Sequence, residues 1–312
     1  MQTILGANGI IATELAKELY SKFTKDIRLV SRNPKQVNGT DLLFTANLLD
    51  AGETEEAVKG SDIVYLTVGL PNNWKIAKEQ WPVIMRNVID ACIKQQAKLV
   101  FFDNTYMYGK SDGIITEDAA FLSKGKKGKV RGEITTMLLN EIHNKKITAM
   151  ICRAPEFYGP RNTKSITNTL IFENIRNSRK IKVLLKDNTL RTLIYTPDAG
   201  KAMALLGNTP DAYQQSWHLP CDNIRLTSKE FIQLAGEIYG VKLNYIVLQK
   251  WMIRLIGCFN PNMRETAELL YRYETDNIFD SSKFTKRFPD FKVTTYHEGI
   301  SEIIEEIKQF LK

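Results

Sequence analysis

Short, continuously apolar segments alternate with amphipathic ones through the first half of the chain. Residues 3–5 form the first apolar segment, and segments of the same kind follow at residues 27–30, 62–68, 98–102 and 147–152. Helical periodicity begins directly after the first segment, where Ile11, Leu15 and Leu19 form one apolar stripe, and it returns at residues 53–59, 81–95 and 129–144. Apolar strands that alternate with helices predict a parallel sheet covered on both faces.

After about residue 160 the pattern becomes looser. It predicts helices at residues 166–177, 197–206, 228–239 and 295–312, and short strands at residues 182–185 and 193–195. Ser228 is expected to cap the third of these helices and Gly240 to end it, while Asp198 is expected to cap the second, near Ala199. We therefore expect an α/β fold with a doubly wound parallel sheet in residues 1–160. Residues 161–312 form mainly a smaller, mostly helical lobe, and about 190–206 return to the first domain.

The first strand leads into a glycine turn and then directly into a helix, over Thr-Ile-Leu-Gly-Ala-Asn-Gly-Ile-Ile-Ala at residues 3–12. Gly6 allows the chain to leave the strand sharply, and Gly9 lets the backbone approach a ligand closely. Backbone N–H groups at the positive end of a helix dipole suit a pyrophosphate. The turn therefore predicts a nucleotide site formed by Gly6, Asn8, Gly9, Ile10 and Ile11. Tight turns of this kind also occur in other α/β proteins, which leaves a purely structural turn as the alternative.

The composition is that of an ordinary globular chain of 312 residues, of which 43% are hydrophobic and 25% charged. A net charge of +8 without a combined aromatic and basic patch favours an anionic small ligand over nucleic acid. The chain shows no apolar run of membrane-spanning length and no signal segment before the first strand, so we expect a cytoplasmic protein with no membrane partner. The cysteines include no CxxC pair, which indicates reduced thiols and no metal site; they are Cys92, Cys152, Cys221 and Cys258.

Five segments, in sequence order, resemble the extended short-chain dehydrogenase/reductase family, which includes nucleotide-sugar epimerases and dehydratases. They are Gly-Ala-Asn-Gly at 6–9, Asn-Leu with a following Asp at 47–50, Tyr-Met-Tyr-Gly at 106–109, Arg-Ala-Pro-Glu-Phe-Tyr-Gly-Pro at 153–160 and Arg-Thr-Leu-Ile-Tyr-Thr-Pro-Asp at 191–198. The resemblance covers most of the chain and implies a Rossmann domain, an NAD(P) cofactor and a small-molecule substrate. It also implies a monomer or a homodimer, the latter through a four-helix contact of residues 81–95 and 129–144.

The resemblance implies that Asn47 and Leu48 meet the adenine of the cofactor, between the ends of the second and third strands. The alternative for this pair is a polar strand end with one buried leucine. Further cofactor contacts are expected in the loops that follow other strands, at Thr67, Gly69 and Pro155.

The end of the second strand indicates which cofactor is preferred. NAD-binding members of the family usually hold the ribose hydroxyls with an acidic residue there, whereas this chain has Ser31 and Arg32. A guanidinium holds a 2′-phosphate with paired, charge-assisted hydrogen bonds, while a carboxylate repels it. We therefore predict NADP over NAD. The alternative, in which Arg32 is a surface arginine beside a turn, leaves NAD open.

The catalytic positions depart from the family pattern. In that pattern a tyrosine is the acid/base, a lysine four residues later lowers its pKa and holds the nicotinamide ribose, and a Ser or Thr bonds the substrate oxygen. Counting back from Gly109 puts Asn104 at the hydroxyl position, with Thr105 beside it. Lys129 stands at the lysine position, but Gly125 stands where the tyrosine belongs. Because glycine has no proton to give, the tyrosine–lysine pair is broken.

Two hypotheses account for the missing tyrosine. In the first, the chain is an NAD(P)-dependent oxidoreductase or epimerase/dehydratase-like enzyme that transfers a hydride, with Tyr106 or Tyr108 as the acid. Tyr106 is slightly favoured, because the tyrosine at the position of Tyr108 usually packs structurally in the family. A substitute tyrosine would need a neighbouring cation to lower its pKa. In the second hypothesis, the protein is a catalytically silent sensor or scaffold that binds NADP without turnover.

A run of cations leads into the helix at residues 129–144. For Lys124, Lys126 and Lys127 we expect a solvated loop before the helix. Lys129 and Arg131 fall inside the helix, at the functional position of the family, and are candidates to hold the cofactor ribose or an anionic substrate.

Two more candidates for substrate contact follow from the resemblance. Glu156 stands where the family usually places an asparagine beside the substrate. A carboxylate there is either a general base, a partner of Lys129 or a salt-bridged structural group. Arg191 matches a position that contacts phosphate in some nucleotide-sugar members.

Overall fold

Parallel strands form the centre of the protein, whose computed structural model describes residues 1–110, 113–161 and 163–311. In chain order the strands are β1 (Gln2–Leu5), β2 (Ile27–Ser31), β3 (Leu42–Thr45), β4 (Ile63–Leu66), β5 (Lys98–Asp103), β6 (Ile114–Ile115), β7 (Ala149–Arg153), β8 (Glu156–Tyr158), β9 (Ile181–Leu184), β10 (Leu190–Arg191), β11 (Leu193–Tyr195), β12 (Ser216–His218), β13 (Leu226–Thr227), β14 (Tyr245–Leu248) and β15 (Ile278–Phe279). Seven of them form one parallel sheet in the order β12-β7-β5-β4-β1-β2-β3. The order reverses between β1 and β4, which confirms the doubly wound sheet.

Helices cover both faces of this sheet. In chain order, the α-helices of the described residues, including those of the C-terminal lobe, are α1 (Ile10–Lys22), α2 (Ala51–Val58), α3 (Trp74–Gln95), α4 (Lys126–His143), α5 (Glu173–Arg176), α6 (Thr196–Gly207), α7 (Ser228–Tyr239), α8 (Lys250–Phe259), α9 (Pro261–Thr266), α10 (Ser282–Arg287) and α11 (Tyr296–Phe310). One apolar core lies between the sheet and α2, α3 and α4, and a second lies between the sheet and α1, α6 and α10. Successive residues of a strand point to opposite faces, so Leu5 enters the first core and Ile4 the second.

Beyond residue 160 the chain builds a further core under α7 and α11. Aromatic side chains fill much of it, among them Tyr158, Phe231 and Tyr296. Short strand pairs accompany this core: β9 with β14, β10 with β13 and β8 with β11. The strand β12 joins the main sheet, and α6 packs so closely on α1 that a Cβ on Gly200 would lie 2.7 Å from Glu14. The second half of the chain therefore contributes both to the main sheet with its helices and to the separate C-terminal core.

Two helix caps differ from the expectation. The cap of α7 is Thr227 rather than Ser228, because the Thr227 hydroxyl accepts the Glu230 N–H while the Glu230 carboxylate accepts the Thr227 N–H. Asp198 does not cap α6, because that helix begins before it and Asp198 lies in its first turn. Its carboxylate instead accepts the N–H and the hydroxyl of Thr294, which ties α6 to the segment before α11.

Two further boundaries differ as well. Helix α3 begins at Trp74 instead of residue 81, because the Asn73 side chain accepts the N–H groups of Lys75 and Ile76. Residues 166–177 form a π turn (Asn168–Phe172) and the short α5 instead of one continuous helix. Within residues 1–110, 113–161 and 163–311, no helix is long and apolar enough to cross a membrane.

Candidate functional site

A close approach to the loop after β4 shapes the β1–α1 turn. Gly6 has a φ of +93°, and a Cβ there would lie 2.7 Å from backbone atoms of Val68. An L side chain is strained in this conformation and would overlap atoms that cannot move aside. The sheet itself therefore requires glycine at this position.

Helix α1 begins at this turn with an N-terminus that no side chain caps. Gly9 occupies the capping position, and the first turn contains no acidic residue. A Cβ on Gly9 would meet only the Gly6 carbonyl oxygen, at 3.7 Å, so the space in front of the helix is open. The first N–H groups of a helix have no partner within the helix, so those of Ile10 and Ile11 border a space that suits an anion.

Asn8 joins this turn to the end of β2. Its side-chain amide donates to the Asn33 carbonyl oxygen at 2.7 Å and accepts the Lys35 N–H at 3.2 Å. The Ser31 hydroxyl accepts the Asn33 N–H at 3.1 Å, which holds the strand end in a turn. Arg32 stands exposed on that turn. Among the described residues, the Arg32 guanidinium has no ion-pair partner.

Asn47 and Leu48 follow β3 and differ in exposure. Asn47 is exposed, and its N–H donates to the Glu53 carboxylate at 2.7 Å. The Leu48 side chain is buried in the core shared with α2 and α3, and Asn87 donates to the Leu48 carbonyl oxygen at 3.0 Å. Asn47 is therefore the polar, exposed side chain of the pair, and the hydrogen bonds to Glu53 and Asn87 hold the backbone of both residues.

Thr67 and Gly69 leave β4 beside the glycine turn. Thr67 is buried, and its N–H and hydroxyl both donate to the Leu5 carbonyl oxygen, at 2.9 and 3.0 Å. Apart from its chain neighbours, no described residue has an atom within 4 Å of the position that a Cβ on Gly69 would take, so the loop leaves space in front of the strand. Pro155 is buried directly after β7. All three lie at the carboxyl edge of the sheet, where doubly wound folds bind their ligands.

Residues 104–106 leave β5 at the same edge. The Asn104 side chain accepts the Tyr106 N–H at 2.9 Å, which holds a tight turn. Thr105 is buried, and its hydroxyl accepts a hydrogen bond from the Arg272 guanidinium at 2.9 Å. Tyr106 is half-buried, with the guanidinium carbon of Arg272 5.2 Å from its ring centroid. The structure therefore brings Asn104, Thr105 and Tyr106 together and adds Arg272 to them.

Helix α4 turns a different lysine inward from the one that the family spacing indicates. Lys129 is exposed on the outer face of the helix. Lys127 is only 6% exposed, and its ammonium contacts Asn72 Oδ1 at 2.6 Å and the Glu265 carboxylate at 3.0 Å. The expectation of a solvated loop at Lys127 is wrong, because α4 already begins at Lys126.

Arg131 lies one turn after Lys127 on the same face of α4. Its guanidinium contacts the Asp103 carboxylate at 3.3 Å and lies 4.1 Å from the Trp81 ring centroid. Burial lowers the pKa of Arg131, and burial raises the pKa of Asp103 more than the Arg131 charge lowers it. Asp103 also accepts the Thr135 hydroxyl at 2.8 Å, so this charged pair is fixed in place.

A side chain from the C-terminal lobe lies against Gly125, the position at which the family pattern predicts a tyrosine. A Cβ on Gly125 would lie 2.7 Å from Oε1 of Glu268. That oxygen accepts the Lys127 N–H at 2.8 Å. The Glu268 carboxylate therefore lies at the N-terminus of α4, where the helix dipole favours an anion. The space into which a side chain at Gly125 would extend therefore holds the Glu268 carboxylate.

Arg272 supplies a buried cation beside Tyr106. Burial alone would lower the pKa of Arg272, but the nearby Tyr106 and Tyr273 groups raise it above its ordinary value. Its Nε is buried and has no hydrogen-bond partner among the described residues. A cation favours the ionised form of a neighbouring phenol, and a free donor can bind a developing oxyanion. Sequence reasoning missed Arg272 because no motif of the chain includes it.

Tyr108, the other tyrosine of this loop, is an interior residue. Its hydroxyl accepts a hydrogen bond from Arg153 at 2.9 Å and lies 2.8 Å from His218 Nε2. Burial raises the pKa of Tyr108 to about 12 and lowers the pKa of His218 to about 3. This network holds the loop, and it leaves Tyr106 as the partly exposed phenol.

Glu156 and Arg191 form a buried ion pair beside β8. The Glu156 carboxylate accepts hydrogen bonds from Arg191 at 3.1 Å, from the Tyr273 hydroxyl at 2.7 Å and from the Thr167 hydroxyl at 2.6 Å. Arg191 also donates to the Arg272 carbonyl oxygen. Burial would raise the pKa of Glu156, but Arg191 and Arg272 outweigh burial and hold it below its ordinary value. Glu156 is therefore a salt-bridged group.

The glycine turn and the parallel sheet, except Gln2 at the start of β1, lie in a region that matches a known family model. Residues 3–219 match the model described as the NAD dependent epimerase/dehydratase family. The chain belongs to this family. Membership confirms the resemblance drawn from the five sequence motifs. A comparison with curated proteins gives no match.

Solved structures share the fold over the full length of the chain. UDP-glucuronic acid 4-epimerase from Bacillus cereus, in complex with NAD, has a TM-score of 0.80 at 14% identity, with 100% of both chains covered. The dTDP-glucose 4,6-dehydratase DesIV from Streptomyces venezuelae, with NAD and DAU bound, has a TM-score of 0.77 at 11% identity, covering 99% of this chain and 97% of that one. UDP-glucose 4-epimerase from Thermus thermophilus, in complex with NAD, has a TM-score of 0.77 at 14% identity, covering 99% of each chain.

Proposed function

We propose that this protein is an NADP-preferring oxidoreductase or epimerase-like enzyme that transfers a hydride at a carbonyl or alcohol carbon of a small substrate. The observation that carries the proposal is the uncapped N-terminus of α1, which opens at the sheet edge where the strand order reverses. Structures of the same fold were solved with NAD, which supports a nicotinamide cofactor.

The residues around the turn fit a dinucleotide. The N–H groups of Ile10 and Ile11 would hold the pyrophosphate, because among the described atoms, chain neighbours aside, a Cβ on Gly9 would meet only the Gly6 carbonyl oxygen within 4 Å. Asn47 would meet the adenine from the end of β3. Arg32 would hold a 2′-phosphate, because it is exposed and has no carboxylate partner among the described residues. Once bound, the nicotinamide supplies or accepts the hydride.

Tyr106 is the proposed acid/base in place of the absent family tyrosine. It is half-buried at the carboxyl edge of the sheet, with the guanidinium carbon of Arg272 5.2 Å from its ring centroid. A positioned phenol of this kind can exchange a proton with a substrate oxygen. Lys127 and Arg131, the inward cations of α4, replace Lys129 in this proposal, since the Lys129 side chain is exposed to solvent.

The second candidate function is a silent NADP-binding sensor or scaffold. Glu268 favours it, because its carboxylate occupies the space beside Gly125 in which the family tyrosine would stand. The same segment pairs Glu265 with Lys127 at 3.0 Å. In this alternative the cofactor binds at the turn, and no group near β5 and α4 completes a reaction.

Binding and turnover separate the two functions. NADPH and NADH are titrated against the protein by fluorescence, and oxidation of the preferred cofactor is then followed with a panel of sugars, aldehydes, ketones and quinones. The enzyme predicts NADPH binding together with oxidation by at least one member of the panel. Tight NADPH binding with no oxidation across the panel would favour the sensor, and no binding of either cofactor would refute both.

A further inference from the structure

The outer face of α8 exposes an apolar stripe formed by Trp251, Leu255 and Phe259. These residues recur at every fourth position, so they lie along one face of the helix over about 12 Å. Trp251 is 63% exposed and Phe259 is 87% exposed, and Ile256 beside them is exposed as well. Large contiguous apolar patches are rare on the surfaces of folded proteins and mark sites of interaction. The apolar stripe is therefore a candidate interaction surface.

The opposite face of α8 is packed inside the protein. Ile253 is buried in a small core together with Leu248 and Leu270, and Met252 packs against the same core. A rotation of α8 that buried the apolar stripe would expose Ile253, so it would only exchange one apolar face for another. Helices that are apolar on both faces are typically covered on both. An external surface is therefore needed to cover the apolar stripe.

The charge around the apolar stripe is positive. Residues 238–264 contain four cations and no carboxylate. Lys250, at the start of α8, is paired with Glu274 at 3.2 Å. Arg254 of α8 and Arg264 of α9 are exposed, and neither forms an ion pair with a residue that the structure describes. The long stem of an arginine can lie along an apolar surface while its guanidinium reaches a polar or anionic layer.

These charges separate the two occupants that an apolar stripe allows most simply. In a symmetric dimer through α8, the patch of one copy would meet the same patch of the other, which brings like charges together. Residues 238–264 offer no carboxylate to offset that repulsion. A bilayer with anionic headgroups offers an apolar layer for the stripe directly beneath a negative layer for the arginines. The observations therefore favour the bilayer.

We propose that α8 binds in the interface of a lipid bilayer that contains anionic lipids, with the apolar stripe below the headgroups and Arg254 and Arg264 among them. A helix in the interface does not need spanning length. The expectation of no membrane partner rests on the lengths of apolar runs and bears only on spanning segments. The proposal does not depend on the proposed function, because none of these side chains belongs to the cofactor turn or to the loop of Tyr106.

The first test measures binding of the whole protein to lipid vesicles by flotation. The vesicles consist of phosphatidylcholine alone or of equal parts of phosphatidylcholine and phosphatidylglycerol. Binding should be about tenfold or more tighter on the anionic vesicles and should weaken at high salt, because cations near the surface contribute electrostatic attraction. No binding to the anionic vesicles, or equal binding to both kinds, would overturn the proposal.

Matched variants locate the contact, because a chain with a net charge of +8 is attracted to anionic vesicles as a whole. Phe259→Ser should weaken binding about tenfold, since it removes a side chain that enters the apolar layer. Phe310→Ser, at another exposed phenylalanine, should leave binding unchanged. Arg254→Gln should weaken binding about fivefold, and Arg179→Gln, at an exposed arginine outside α8, by less than about twofold. Equal effects within either pair would overturn the proposal.

Trp251 reports whether the apolar stripe enters the bilayer. Lipids with brominated acyl chains quench a tryptophan that lies among them, so wild-type fluorescence should fall on binding. Trp251→Phe keeps an apolar side chain there and should still bind within about threefold, but it should lose the quenching. Trp81 and Trp217 are buried in the protein. Absence of quenching in the wild type, or undiminished quenching in Trp251→Phe, would overturn the proposal.

Sedimentation equilibrium without lipid tests a second copy as the occupant. The wild type and Phe259→Ser should have the same mass in solution. A larger wild-type mass that is lost in Phe259→Ser would assign the apolar stripe to a dimer contact and overturn the proposal. Each substituted side chain is exposed, so thermal unfolding of the variants should match that of the wild type. The wild-type vesicle and quenching measurements need no variant, and they decide the proposal even if a variant does not fold.

Discussion

Two regions at the carboxyl edge of the sheet, the β1–α1 end and the β5–α4 end, are built in opposite ways. At the β1–α1 end, the groups that face the open space are backbone N–H groups and the exposed Arg32, and none of them is committed to another described part of the protein. At the β5–α4 end, Thr105 bonds to Arg272 and Lys127 bonds to Glu265. The first end is open to a ligand as it stands, whereas the second is held closed by side chains from the C-terminal lobe.

The difference bears on how each end can act. A preformed site whose groups have no internal partners binds a ligand without losing internal contacts. We therefore expect the β1–α1 end to provide most of the cofactor affinity. A site made of fixed, buried charges is suited to orient a reacting group, because its dipoles and charges do not reorganise when charge develops. We therefore expect substitutions at the two ends to separate binding from turnover.

The largest effect is expected at Tyr106. Tyr106→Phe removes the proposed proton donor and should lower turnover by about 10²- to 10⁴-fold, while the NADPH dissociation constant stays unchanged. Steady-state kinetics and fluorescence titration measure the two quantities.

Tyr271→Phe is the matched control for this change. The Tyr271 hydroxyl lies 3.3 Å from the Tyr106 carbonyl oxygen, so the variant loses one contact to the same loop but no proposed chemistry. Its turnover should fall by less than about tenfold. Full turnover in Tyr106→Phe would place the acid elsewhere and would remove the distinction between the two ends.

The second effect compares two glycines, one from each end. Gly6→Ala should lower the free energy of unfolding by about 3–4 kcal/mol, because its Cβ overlaps fixed backbone atoms at a positive φ. Gly125→Ala should cost less than about 1 kcal/mol, because the atoms nearest to its Cβ belong to the Glu268 side chain, which can shift, and not to backbone. Urea unfolding measures both. An equal loss of unfolding free energy in the two variants would mean that the β5–α4 end is as rigid as the β1–α1 turn.

What the sequence could predict follows the same division. The sheet and the glycine turn depend on local patterns. At the turn, for example, an apolar strand, two closely spaced glycines and an amphipathic helix follow one another within residues 3–22. The β5–α4 end depends on contacts between distant segments, such as Arg272 with Thr105 and Glu268 with Lys127, which are separated by 167 and 141 residues. No pattern within a short window carries such contacts.

The lysines of α4 show how a small error in register changes the outcome. Residues that are two positions apart in an α-helix differ in direction by about 200° around its axis. Lys127 and Lys129 therefore lie on nearly opposite faces of α4. Family spacing indicates Lys129, but the start of α4 at Lys126 and the pairing with Glu265 turn Lys127 inward. Which of the two lysines faces the interior depends on the position of α4 relative to the segments packed against it.

The third effect tests that assignment. Lys127→Met should lower the free energy of unfolding by about 2 kcal/mol, because it leaves Glu265, only 13% exposed, without its cation. Lys129→Met is the matched change on the outer face and should alter stability by less than about 0.5 kcal/mol. Denaturant unfolding of the two variants is compared, and a larger loss in Lys129→Met would reverse the assignment of the inward lysine.

The smallest effect concerns cofactor choice at the open end. Arg32→Asp should lower NADPH affinity about tenfold or more relative to NADH, because the guanidinium that would hold the 2′-phosphate is replaced by a group that repels it. Lys35→Asp makes the same charge change on a neighbouring exposed residue of that loop. General electrostatic attraction predicts the same ratio change in both variants, weakened by salt, whereas a specific contact predicts it in Arg32→Asp alone. Fluorescence titrations at two salt concentrations separate these outcomes, and an unchanged NADPH to NADH ratio in Arg32→Asp would make Arg32 a surface residue.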